Sequence, residues 1–157
     1  MPVAAKGTGI YVNSSLAKVE AIKAGYDEAI LLNTLGYVAE CTGENLFTVR
    51  DGVISTPPTS SGALDGLTRA SVMTIARDLG YPVVEAKLLR SDLYLADEAF
   101  LTGTAAEIVP MRSVDDRQIG DRGGDPGPIT KEIQAAYFDA VYARNPKYSD
   151  WSEYSDE

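Results

Sequence analysis

Residues 36–58 read GYVAECTGENLFTVRDGVISTPP. Two runs rich in β-branched and apolar residues, NLFTVR at 45–50 and VIST at 53–56, are separated by Asp51-Gly52. Asp-Gly accepts the positive φ angles of a two-residue type I′ turn, so this stretch predicts a β-hairpin. Residues 37–41 read as a further strand, entered through a turn at Thr34-Leu35-Gly36. The apolar EAILLN at 28–33 reads as a buried strand before it. Upstream, Ser14 and Ser15 look like caps for a helix over residues 16–24 that Gly25 ends.

Downstream, the loop TPPTSSGALDG at 56–66 leads to a helix over residues 67–79. Val72, Ile75, Ala76 and Leu79 recur there at helical spacing, and Gly80 stops it. Residues 83–89 read as a strand, Ser91 starts a short helix, and residues 98–102 form another strand. An extended segment at 108–114, a loop DRQIGDRGGDPGP at 116–128 and a helix over residues 130–144 follow. Residues 145–157 read as irregular, with Asp150, Glu153, Asp156 and Glu157 forming a solvated acidic tail over residues 151–157. Irregular alternation with hairpins predicts a mixed α+β fold, not a doubly wound parallel sheet, with no interior domain boundary over residues 1–150.

Composition narrows the chemistry. The chain has 157 residues, a formal net charge of -9, one cysteine and no histidine. The acidic balance argues against a nucleic-acid partner. No apolar run approaches the roughly 20 residues of a membrane helix, and MPVAAKGTG lacks a signal-peptide layout, which predicts a cytoplasmic protein. Without histidine, Ser-His-Asp and Cys-His catalysis and every His-ligated zinc site drop out, and no metal is expected. A general base must come from Lys, Asp, Glu, Tyr or Cys41.

Local features could carry chemistry, and each has a plainer reading. Lys6, in AAKGTGIY, is by default a solvated surface charge, but Gly7 and Gly9 would let a bulky ligand approach the backbone. Strand alternation sets Glu40 beside Val38, opposite Tyr37, Ala39 and Cys41. It is either an exposed strand residue or an inward carboxylate that needs a cationic partner. Gly66-Leu67-Thr68-Arg69 opens a helix, so it is either an ordinary cap or a phosphate site. Thr102-Gly103-Thr104-Ala105-Ala106 ends a strand, as a tight turn or a pocket edge. Gly43-Glu44-Asn45 is a turn whose Asn45 serves at least the local chain.

Taken together, AAKGTGIYVNSSLAK, GYVAECTGENLFTVRDGVISTPP, SGALDGLTR, LYLADEAFLTGTAAEIVPMRSVD and GPITKEIQAAYFDAV resemble the branched-chain amino-acid aminotransferases. These are fold-type IV enzymes dependent on pyridoxal 5′-phosphate. The order and spacing match from about residue 2 to residue 150. The resemblance implies an α+β fold, with a mixed, largely antiparallel sheet or pseudo-barrel and flanking helices, as in the large domain of that family. It makes Lys6 the catalytic lysine that holds the cofactor as an aldimine and moves the substrate proton. Tyr11 becomes the partner of the cofactor's phenolic oxygen, and Glu40 the acid at its pyridine nitrogen. Leu64, Gly66, Leu67, Thr68 and Thr104 become phosphate contacts, and Thr104 and Ala105 receive the substrate carboxylate. The implied reaction transfers the amino group of Leu, Ile or Val to 2-oxoglutarate, in a homo-oligomer.

The sequence departs from the family at Ile10, where Asn is common, and at Cys41-Thr42, where small residues are common. The family's smaller N-terminal domain has no counterpart in these residues, and Met1 reads either as a true start or as an internal methionine. The chain is expected to fold around its own core and keep part of the cofactor site, with impaired turnover. A D-amino-acid aminotransferase, an aminodeoxychorismate lyase or a non-catalytic fragment of the same fold are the alternatives.

Overall fold

The computed structural model describes residues 6–151. Of the acidic tail expected at 151–157, only Trp151 is among them; residues 152–157, with Glu153, Asp156 and Glu157, lie outside, as do residues 1–5. Asp51 and Gly52 both adopt positive φ, 51° and 75°, and they join β3 (Asn45–Arg50) to β4 (Val53–Thr56) with Arg50 opposite Val53. Strand β3 pairs on its other edge with β6 (Glu98–Gly103), antiparallel, from Asn45↔Thr102 to Val49↔Glu98. Adding β5 (Val83–Glu85) beside β4 and β7 (Glu107–Pro110) beside β6 completes a five-stranded sheet of order β5-β4-β3-β6-β7. All its pairings are antiparallel except β4–β5.

The parallel pair follows from the chain path. Helix α2 (Leu67–Asp78) carries the chain back from the end of β4 to the start of β5, the crossover that parallel strands require. On one face of the sheet, Phe47, Val49, Ile54 and Phe100 pack against Val72 and Ile75 of α2 and Ile133 of α4 (Pro128–Val141). Phe47 and Phe100, opposite each other in register, stack with ring centroids 5.0 Å apart. The opposite face buries Leu46 and Leu101 with Val38, Cys41 and Leu93. The fold is thus mixed α+β, its sheet largely antiparallel and flanked by helices.

Several elements differ from expectation. Helix α1 spans Tyr11–Lys23 and starts earlier than predicted, because a 3-10 turn at Thr8–Ile10 leads into it; Ser14 is buried inside it and caps nothing. Strand β1 is only Ile30–Leu32, half-buried with Leu32 exposed, because it pairs with β2 (Val38–Cys41) alone in a two-stranded sheet. Residues 83–89 are not one strand: after β5 the chain changes partner, Leu88 accepting the Val38 N–H at 2.8 Å and Leu89 bridging Tyr37. The segment at 108–114 is split, with β7 ending at Pro110 and β8 (Ser113–Val114) pairing with β9 (Arg117–Gln118), inside the predicted loop. Residues 146–151 form a 3-10 segment and bury Tyr148.

One buried carboxylate sets the position of α4. Glu98 accepts hydrogen bonds from the N–H groups of Ile129 (3.2 Å) and Thr130 (2.8 Å) and from the Thr130 hydroxyl (2.7 Å). A negative charge at a helix N-terminus satisfies orphan donors and opposes the positive end of the dipole. Gly127 makes room for it, since a Cβ there would overlap the Glu98 carboxyl carbon. Gly127→Ala is expected to cost about 2 kcal/mol by evicting this cap, read as a lower urea midpoint. In a Glu98→Ala background the same substitution should cost much less, and full additivity would show that the two residues act independently.

Candidate functional site

A cleft of about 200 Å³ opens where the start of β3, the end of β6 and the loop before α2 meet. Its walls include Lys6, Asn45, Leu64, Gly66, Thr68 and Thr104. Asn45 is buried and organises the floor. Its amide donates to the Leu64 carbonyl at 2.8 Å and to Glu40 Oε2 at 3.4 Å. The Leu64 N–H donates to the same Glu40 oxygen at 2.8 Å. A Cβ on Gly66 would overlap Asn45 Oδ1, so only glycine lets the loop pass this close before the helix begins.

Helix α2 starts at Leu67 with Gly66 as N-cap, no side-chain cap and no acidic residue in its first turn. Uncapped N–H groups at the positive end of a helix form a ready anion site. Arg69 fixes this end from behind: it is buried, donates to the Pro57 carbonyl at 3.1 Å, and pairs with Glu85. Thr102, fully buried, belongs to the lining of the same cleft.

Glu40 is half-buried and has no ion-pair partner among the described residues. The cation that its inward placement calls for is replaced by neutral donors. Burial pushes its carboxyl above the ordinary range, the Leu64 N–H pulls it back, and the charge of Glu44 adds to the rise. A carboxylate in that state is matched to an incoming cationic or protonated group. Lys6 stands exposed at the rim, at a positive φ of 46°.

The structure therefore gathers Lys6, Leu64, Gly66, Leu67, Thr68 and Thr104 around one cleft, with Glu40 joined to it through Leu64 and Asn45. It does not place Tyr11 or Ala105 in the lining: Tyr11 is half-buried at the start of α1, and Ala105 is exposed in the turn after β6. Asn45 and Thr102, which the sequence offers only as part of a turn and of a possible pocket edge, are the further polar groups that the structure brings into the cleft. Each stands directly beside apolar strand residues, in NLF and in AFLT. A larger groove, 1030 Å³, lies between α1 and β7–β8 and holds none of the expected residues.

The donor set suits a phosphorylated aldehyde cofactor with a basic ring nitrogen: an open helix N-terminus for the phosphate, a carboxyl raised by burial for the ring, and a primary amine at the rim. A volume near 200 Å³ is below the ~300 Å³ at which small-molecule pockets begin, so the cleft has room for a phosphate-sized group and not for a whole substrate.

Residues 2–114 match the amino-transferase class IV family. The branched-chain-amino-acid aminotransferase of Pseudomonas aeruginosa is 48% identical over 147 residues, covering 94% of this chain and 47% of its own length. That of Escherichia coli K12 is 52% identical over 138 residues, covering 88% of this chain and 44% of its own. The chain thus spans about half the length of the curated relatives it matches. A crystal structure of a T.th. branched-chain amino acid aminotransferase, complexed with N-(5'-phosphopyridoxyl)-L-glutamate, superposes with a TM-score of 0.93 at 52% identity, over 98% of this chain and 51% of that one. With the family match extending over more than half its residues and the fold superposing on that of a solved relative, the chain belongs to the class IV aminotransferases.

Proposed function

We propose that this chain binds pyridoxal 5′-phosphate in the cleft at the N-terminus of α2 and carries the cofactor side of amino-group transfer from Leu, Ile or Val to 2-oxoglutarate. The observation that carries the reading is the uncapped α2 terminus beside a half-buried Glu40 that has no ion-pair partner among the described residues. Bound there, the cofactor supplies an electron sink that makes an amino acid's α-proton removable. The α2 N–H groups with the hydroxyls of Thr68 and Thr104 hold the phosphate. Glu40 keeps a proton on the ring nitrogen. The Lys6 amine would hold the cofactor through its aldehyde carbon and, when free, would serve as the base for the proton at the substrate's Cα. Tyr11 orients the ring from the α1 side, and the Thr104-Ala105 backbone receives the substrate carboxylate. Residues 1–150 form the cofactor-binding unit, and residues 151–157 an acidic tail. Turnover by these 157 residues alone is impaired, because the substrate's side chain finds little enclosure in so small a cleft.

The proposed setting is cytoplasmic, in keeping with a single, buried, unbridged Cys41. The proposed state is a homo-oligomer. Helix α1 supports this: it turns the small residues Ser14, Ala17 and Ala21 inward and leaves Val12, Leu16, Val19 and Ile22 exposed. An apolar stripe on one helix face is a typical association surface. Sedimentation should show a wild-type oligomer and a Leu16→Glu monomer; equal masses would remove α1 from the interface.

Wild type with added pyridoxal 5′-phosphate is expected to develop the visible band of a lysine-bound cofactor, and Lys6→Ala to lack it. An unchanged band in the variant would take the amine role from Lys6.

Glu40 makes a pH test. The folded chain holds its proton more tightly than the unfolded chain, because burial raises the folded value. The stability this group contributes is complete below the ordinary glutamate range and is lost as pH rises through the raised folded value. Glu40→Gln keeps the single accepting oxygen and removes that loss. Its stability relative to wild type should therefore grow from about pH 4 to about pH 7, while its cofactor affinity falls about tenfold. A pH-independent difference in urea unfolding would contradict this account.

A further inference from the structure

Three buried side-chain polar atoms have no hydrogen-bond partner among the described residues: Ser61 Oγ, Arg69 Nε and Thr102 Oγ1. Only that of Thr102 belongs to a residue lining the α2 cleft. Thr102 is 0% exposed. Its strand neighbours cannot serve it. Asn45, directly opposite on β3, spends its amide on Leu64 and Glu40 and turns Oδ1 toward Gly66. Ile108, opposite on β7, has no polar side chain. A buried hydroxyl without a partner is a standing cost, which a valine of nearly the same shape would avoid.

The surroundings say what would relieve that cost. The cleft offers donors in the open N-terminus of α2 and the hydroxyls of Thr68 and Thr104, and its one carboxylate, Asp65, is largely exposed and paired with Arg69 at 3.6 Å. No acidic residue stands in the first turn of α2. A hydroxyl can rotate to donate or accept, and among donors the complement is an anionic oxygen. We infer that the Thr102 hydroxyl is a phosphate-binding group, donating to a phosphate oxygen held at the α2 N-terminus. This rests on the reading of the cleft as a phosphate site and adds to it a residue from the sheet floor. The phosphate is then held from two independent elements, the helix end and strand β6, which fixes its depth as well as its direction.

The test uses the full 157-residue chain, with inorganic phosphate and pyridoxal 5′-phosphate as separate titrants. Thr102→Val removes the hydroxyl and keeps the volume, Thr102→Ser keeps the hydroxyl, and Thr102→Ala covers the case in which valine disturbs folding. Without ligand, Thr102→Val should melt about 2 °C or more above wild type, since an unpaired buried hydroxyl is gone. With either titrant its affinity should fall about tenfold, and Thr102→Ser should restore it. Unchanged affinity for both titrants in Thr102→Val and Thr102→Ala overturns this inference while leaving the cofactor site standing. Loss of pyridoxal 5′-phosphate binding with unchanged phosphate binding also overturns it, because the hydroxyl then touches another part of the cofactor. A wild type that binds neither titrant overturns both this inference and the proposed function.

Discussion

The ladder between β3 and β6 is the constraint on which the molecule turns. Its pairs run from Asn45↔Thr102 at one end to Val49↔Glu98 at the other. The first end forms the floor of the cleft, and the second places the carboxylate that anchors α4. Side chains alternate along a strand, so a slip of one residue would turn Asn45, Thr102 and Glu98 to the wrong face together. The stacked pair Phe47 and Phe100, in the middle of the ladder, opposes such a slip by locking two large rings in register.

The same ladder treats two helix N-termini in opposite ways. At α4 the protein supplies its own anion: Glu98 fills the end, and Gly127 clears the space for it. At α2 the nearest strand residue is the neutral Asn45, whose amide is committed to the loop, and nothing caps the helix. Both helices have a glycine at the N-cap, and in both a Cβ there would strike a side chain of the sheet. The geometry of close approach is shared; the charge is not. One end is closed by a carboxylate of the sheet and the other carries no side-chain cap.

Much of this was legible in the residues. The Asp51-Gly52 turn, helix α2 with its stop at Gly80, and the strand EAFLT are set by local signals, and each lies where the pattern put it. The cleft residues Lys6, Leu64, Gly66, Leu67, Thr68 and Thr104 were readable too, through a shared order of motifs instead of through any one of them. What escaped depends on partners remote in sequence. Residues 83–89 have uniform strand character, and only the folded chain shows them leaving β4 for β2. Ser14 has the chemistry of a cap, but the turn at Thr8–Ile10 starts the helix before it. Thr102 reads as part of a turn or a pocket edge, and only the fold shows that its hydroxyl is buried without a partner.

Helix α1 has a consequence for the amine at the rim. Its inward face is small side chains, so little apolar area clamps it to the body of the protein. Much of the clamping falls to Lys18, which donates to Glu28 at 2.6 Å and to the Asp27 carbonyl at 2.7 Å. Burial works to raise Glu28, but the Lys18 ammonium, the Thr42 hydroxyl and the Ala29 N–H outweigh it and hold the carboxylate charged. Lys6 precedes this helix by one short turn, so α1 acts on it as a lever whose far-side fastening is a partly exposed ion pair. Such a fastening loosens as dissolved ions screen it. The segment that carries the lysine thus leads into a helix held in part by a salt-sensitive contact that lies outside the cleft altogether.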